Sequence, residues 1–207
     1  MVQTVICIFV YGLRLVYITF VFYMFRPIRC SNQQNDRIMS KDNMSHRTLG
    51  IRAEMKTRAD VIAYAESMGY KEHACSCDKC KECCVNCPCL GTPDDILRIL
   101  ESGRKGIIHT GWAVGLIYGL IDHLIEMYQP TMMDDGIGCV YRMADGLCEL
   151  HNNGLKPVEG SLSECKPQKS TLKDSIAYAV AMTWEHPDNE QVINKIKSII
   201  NQQNKAK

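Results

Sequence analysis

The sequence predicts an α+β fold, a small domain in which a three-strand antiparallel meander is flanked by helices. Three observations carry this. Helical periodicity with strong capping signals starts at Thr57 and again at Thr92, and it returns after Leu172. Two Asp-Gly pairs, Asp135-Gly136 and Asp145-Gly146, punctuate an apolar stretch between those regions. A segment dense in cysteine separates the first two helices. At 207 residues the chain suits one domain with extra segments.

Residues 2–25 are almost wholly apolar, broken only by Gly12 and Arg14, and are about long enough to span a bilayer. They lack a basic leading region and a small-residue cleavage site, which argues against a removable signal peptide. Arg26 and Arg29 would hold the following chain on the cytoplasmic side. One Arg at a span's centre costs about 2.5–3.5 kcal/mol, whereas each Leu, Ile, Val or Phe returns about 0.3–0.6 kcal/mol, so insertion is permitted but not required. Three readings stay open: a signal anchor, an over-extended start upstream of Met39, Met44 and Met55, or a buried helix. The expected organisation is a leader over residues 1–30, a disordered polar linker over 31–56, the folded domain over 57–200, and a polar tail over 201–207.

Within the domain, Thr57 and Asp60 have capping-box spacing, Val61, Ile62, Ala65 and Met68 line one helical face, and Gly69 ends the helix. The next helix has Thr92 as N-cap, Pro93 at its first position, Asp94 and Asp95 at the positive end of the dipole, and Gly103 past its last turn. Strands are expected near residues 124–133, 137–143 and 147–151, with Pro130 placing the first on an edge. Two closing helices, near 172–184 and 189–200, carry the apolar faces Leu172, Ile176, Val180 and Val192, Ile196, Ile199. They are expected to pack together as a hairpin around Pro187.

Charge narrows the function classes. The 24 basic residues nearly cancel the 23 acidic ones, leaving no excess field to hold a polyanion, so nucleic acid is not an expected partner. Ten of the twelve cysteines fall between Cys75 and Cys165. Pairs such as Cys75 with Cys77, Cys83 with Cys84 and Cys87 with Cys89 lie too close for ordinary disulfides, so reduced thiolates on metal fit better. Cys77, Cys80, Cys83 and Cys84 form the core of the cluster, because two residues between thiolates let consecutive sulfurs reach one ion. On a helix, Cys77, Cys80, Cys84 and Cys87 would share a face; in a loop, Cys77, Cys80 and Cys83 could wrap an ion. The interleaved Asp78, Lys79, Lys81 and Glu82 make the run too polar for a core, and the lysines would lower thiolate pKa values.

Cys77-x-x-Cys80-x-x-Cys83-Cys84 resembles the signature of the YkgJ-type CxxCxxCC cysteine-cluster family, zinc- or iron-chelating domains. The resemblance continues through Thr92-Pro-Asp-Asp-Ile-Leu and through the segment from Gly138-Cys139 to Cys148-Glu-Leu, and spans Cys75 to Cys165. It implies metal ligands at Cys77, Cys80, Cys83, Cys84, Cys139 and Cys148, with Cys165 weaker; Cys87, beside the signature, and His151, three residues past Cys148, are further weaker candidates read from their positions. The family usually has Arg-Pro with a cysteine close behind, whereas this chain has Lys156-Pro157 and places Cys165 eight residues after the proline. Cys75, Cys87 and Cys89 lie outside the signature, as ligands of a second site or as neighbours.

The expected hairpin adds a constraint. A two-residue turn at Asp145-Gly146 would set Met143 opposite Cys148, leaving Cys139 about 13 Å away along the strand at ~3.3 Å per residue. Two thiolates on one zinc lie within roughly 4 Å of each other, so a regular hairpin would require two sites, a cluster, a bulge or an idle cysteine. His73 and His109 are thinner candidates than His151, and each is more simply read as a solvated histidine. Trp112, Tyr118 and Tyr128 read as core or rim aromatics. The sequence has no phosphate loop, nucleophile elbow or paired carboxylates at a recognisable spacing.

The expectation is a metal-binding protein holding zinc or iron, either as single ions or as an iron–sulfur cluster, mainly structural and not an enzyme by itself. The alternative is an iron–sulfur protein in redox or protein-modifying chemistry, since some relatives with a similar cluster are joined to enzymes such as flagellin lysine methylases. The expected location is the cytoplasm, or the cytoplasmic face of a membrane if residues 1–25 are an anchor.

Overall fold

A computed structural model describes residues 55–72, 88–117, 119–134, 138–162 and 170–205. All belong to Gln33–Lys207, the second of two units into which the chain divides. The leader, most of the polar linker, the cysteine run 75–87, the Asp135-Gly136 turn and Cys165 lie outside the described residues.

The first helices form as their capping residues dictate. Helix α1 (Arg58–Ser67) begins at Thr57, whose hydroxyl accepts from the Asp60 N–H while the Asp60 carboxylate accepts from the Thr57 N–H at 2.6 Å. Past its end Gly69 takes a left-handed φ of +90°, a conformation that favours glycine. Helix α2 (Pro93–Glu101) repeats the device with Thr92 and Asp95, and both residues are buried.

Strands β1 (Ile107–Trp112) and β2 (Ile125–Pro130) pair antiparallel, from Ile107 opposite Pro130 to Trp112 opposite Ile125. The short helix α3 (Val114–Ile117) lies in their connection. The three-strand meander is not found among the described residues, whose single sheet has two strands. Residues 138–140 run beside 131–133 for one bridge only, Met132 to Cys139. Gly138 has a φ of +95°, and the Arg142 N–H donates back to the Cys139 carbonyl at 2.9 Å, so the chain curls out of the sheet plane. The expected third strand is instead a helical turn, α4 (Glu149–Asn152), which starts directly after Cys148.

Helix α5 (Val158–Leu162) follows, then α6 (Ser170–Glu185), a 3₁₀ turn at Pro187–Asn189, and α7 (Glu190–Lys205). Helix α6 is the centre of the domain. Every residue from Ile176 to Trp184 is buried, so this stretch of the helix is enclosed all round where a single apolar stripe was expected. Ala177, Ala179 and Ala181 leave room for neighbours, and α1, α3, α5 and β2 all pack against it.

The two closing helices do not form the expected hairpin. Helix α7 packs on α2 instead, with Ile196 fully buried, Lys195 paired with Glu101 at 2.5 Å, and Gln203 donating to the Arg104 carbonyl. The reason is the turn: Asn189 donates to the carbonyls of Thr183 and Lys56, which ties the corner back onto α6 and the chain leading into α1. Among the described residues, no helix is long and apolar enough to cross a membrane.

Candidate metal centre

Three of the cysteines fall within the described residues: Cys89, Cys139 and Cys148. Cys77, Cys80, Cys83, Cys84, Cys87 and Cys165 lie outside them, as does His73. Among the described residues, no group of three or more His, Cys, Asp or Glu side chains is arranged to hold a metal ion.

Cys139 and Cys148 come from one irregular segment. The turn between them is one residue longer than the expected two-residue hairpin. The Gly146 N–H donates to the Met143 carbonyl and the Met143 N–H to the Leu147 carbonyl, with Gly146 left-handed at φ +83°. The Asp145 carboxylate steadies this turn by accepting from the Leu147 N–H at 2.9 Å. Register therefore slips by one, and Arg142, not Met143, stands opposite Cys148. Together with the curl at Cys139–Arg142, this removes the regular strand on which the separation of about 13 Å rested. The two sulfurs are close enough that charge on Cys148 bears on the ionisation of Cys139.

Cys139 is buried, and that burial pushes its thiol pKa up to about 11; the neighbouring Cys148 adds to the rise, while a hydrogen bond from the Tyr141 N–H opposes it. Without a compensating cation the Cys139 sulfur keeps its proton, and metal binding must release it. Arg142 adds an observation that fits a thiolate centre. Its Nε is buried with no hydrogen-bond partner, and residues opposed in an antiparallel bridge share a face, so the guanidinium leaves the backbone on the same side as Cys148. A metal-bound sulfur there would supply the missing acceptor. Thiol donors of this kind suit a soft cation such as zinc or iron.

The histidines are placed otherwise. His151 sits in α4, one turn beyond Cys148, and its backbone N–H donates to the Cys148 carbonyl. His109 pairs with Glu126 at 2.5 Å and lies on the ring of Tyr128 with centroids 5.1 Å apart. Tyr128 in turn meets Trp184 of α6, so these aromatics build the sheet–helix interface. Tyr118 lies outside the described residues.

A second cysteine neighbourhood escaped the sequence reading. Cys89 opens the segment that enters α2, and this segment is fastened on three sides. The Leu90 N–H donates to the buried Glu159 carboxylate at 2.6 Å, the Glu159 N–H donates back to the Leu90 carbonyl, and Trp184 Nε1 donates to the Gly91 carbonyl at 2.9 Å. Beside it, Asp95 accepts from Arg58, Arg98, the Thr92 N–H and the Val158 N–H. Asp95 was legible as a first-turn acid on the helix dipole, but its grip on Arg58 and Val158 was not, because those partners are remote in sequence.

Comparison with protein-family models, curated proteins and solved structures gives no match to this chain.

Proposed function

We propose that this chain is a metal-binding protein that chelates zinc or iron through thiolates, with Cys77, Cys80, Cys83 and Cys84 as its core and Cys139 and Cys148 as ligands from the folded segment beyond α2. Its metal is mainly structural, and the chain works in the reducing cytoplasm or on its face of a membrane. The observation that carries this reading is the Cys77-x-x-Cys80-x-x-Cys83-Cys84 spacing, which matches the reach of consecutive thiolates on one ion. It is supported by the irregular segment that carries both Cys139 and Cys148, and by the buried, unsatisfied Nε of Arg142, whose residue bridges Cys148. The likeness to the CxxCxxCC family belongs to the same proposal and rests on those cysteines.

A second reading is an iron–sulfur protein in redox or protein-modifying chemistry. It is favoured by the ten cysteines between Cys75 and Cys165, more than the four that one tetrahedral ion takes. Metal analysis of full-length protein purified without oxygen separates the two. Colourless protein carrying zinc supports the first reading; brown protein with acid-labile sulfide supports the second. In either case, Cys77→Ser or Cys80→Ser should lower the metal per chain. Parent protein that holds no metal and takes up none would sink both readings.

A further inference from the structure

Asn153 and Gly154 follow each other at the exposed end of α4. In an Asn-Gly pair the glycine nitrogen readily reaches the carbon of the preceding side-chain amide, because glycine has no Cβ to block the approach. The surroundings leave the pair open to water: a Cβ placed on Gly154 would meet no atom beyond its chain neighbours within 4 Å. The backbone, however, is held away from this attack. Ring closure requires the Gly154 nitrogen to eclipse the Asn153 Cβ about the Cα–C bond, a torsion far from the observed ψ of 7°. Two hydrogen bonds hold the observed conformation: the Gly154 N–H donates to the His151 carbonyl at 3.2 Å, and Asn153 Nδ2 donates to the Glu149 carbonyl at 2.8 Å. The Leu155 N–H closes the same turn by donating to the carbonyl of buried Leu150 at 2.9 Å.

We propose that Asn153 is a deamidation site gated by the fold, closed while this turn is intact and reactive when it opens. In the open segment hydroxide removes the Gly154 amide proton and the nitrogen attacks Cγ of Asn153. The new C–N bond closes a five-membered imide, the Cγ–Nδ2 bond breaks, and ammonia leaves with a proton taken from water. Water then adds to either imide carbonyl and gives aspartate or isoaspartate. Neither product rebuilds the turn. A carboxylate at position 153 has no proton to donate to the Glu149 carbonyl, so two acceptors would face each other. Isoaspartate lengthens the main chain by one carbon and displaces the left-handed Gly154, at φ +65°, from its capping position. The reaction therefore leaves a permanent record that the segment between Leu150 and Leu155 has opened. It stands apart from the metal reading and needs only water.

The test follows full-length, reduced protein at mildly alkaline pH, both folded and unfolded in concentrated urea, by peptide mapping in a mass spectrometer with isoaspartate labelling as a second readout. Asn152, whose following residue Asn153 carries a side chain, is the internal control. In urea, position 153 should react at least ~10-fold faster than position 152. In the folded protein, reaction at 153 should be at least ~10-fold slower than in urea, because only the locally opened fraction reacts. Asn153→Asp, which installs one product, should lower the thermal midpoint by a few degrees. Equal rates at Asn153 in folded and unfolded protein would overturn the gate, and an Asn153 no faster than Asn152 in urea would overturn the site. An unchanged midpoint in Asn153→Asp would show the turn re-forming around the product and overturn the record.

Discussion

Asp95 is a carboxylate on which several segments converge. Its carboxylate, fully buried, accepts from Arg58 Nη1 and Arg98 Nη2 at 2.7 Å each, from the Thr92 N–H that starts α2, and from the Val158 N–H that starts α5. Arg58 continues the network to Glu72, Ser161 and the Lys156 carbonyl. Removing the carboxylate would strand a partly buried guanidinium and two backbone donors. Asp95→Ala should therefore cost about 3–5 kcal/mol, within the range for breaking a buried pair, and Asp95→Asn should cost less because it keeps an acceptor. Chemical denaturation of both variants checks this; a loss for Asp95→Ala below about 1 kcal/mol, the scale of an exposed pair, would mean the network is not cooperative. At this scale the sequence was legible where interactions are local. Thr57 with Asp60 was readable as a capping box, and Thr92 as an N-cap with Asp95 in the first turn, because those contacts lie within one turn. Glu159 and Gly160 were not readable, because their contacts are with Leu90 and Cys89, which only the fold brings beside them.

Helix α6 is the element whose surroundings differ most from its sequence pattern. The run Ala177 to Thr183 carries apolar or small residues at nearly every position, so a stripe of Ile176 and Val180 could be picked out although no polar face opposes it. Enclosure on all sides makes its alanines packing sites. Ala179→Leu should then destabilise by about 1–3 kcal/mol through overpacking, readable as a lower thermal midpoint. A neutral or stabilising result would show that this face of α6 is open. The strands were only half legible for a related reason. The segment Ile107–Trp112 shows no clean alternation, since His109, Thr110 and Gly111 interrupt it, yet it pairs along its whole length with β2. The Asp145-Gly146 turn was recognised correctly as a turn, but a left-handed Gly146 closes a longer loop than the two-residue one expected. That single residue replaced Met143 with Arg142 opposite Cys148.

For the molecule as a whole, the helices legible in the sequence assemble in an order that was not. Helix α7 passes over its chain neighbour to cover α2, because the Pro187–Asn189 corner is bound back to Thr183 and Lys56. Around the centre proposed here, the domain offers α1, α2, α5 and α6 as a packed frame, and the thiolates hang from the segments between them. The segment from Cys75 to Cys89 carries few apolar residues of its own, so metal should be what fixes it to that frame. The most direct test of the thiolate centre is cobalt substitution. Full-length protein, reduced and stripped of metal, is titrated with Co²⁺, a stand-in for zinc whose colour reports its ligands. The account predicts a sulfur-to-cobalt charge-transfer band in the near ultraviolet and intense tetrahedral bands in the red. These should saturate at a whole-number ratio of cobalt to chain, be displaced by Zn²⁺, and weaken in Cys77→Ser and Cys139→Ser. A titration that stays pale pink, the colour of octahedral cobalt in water, would contradict it.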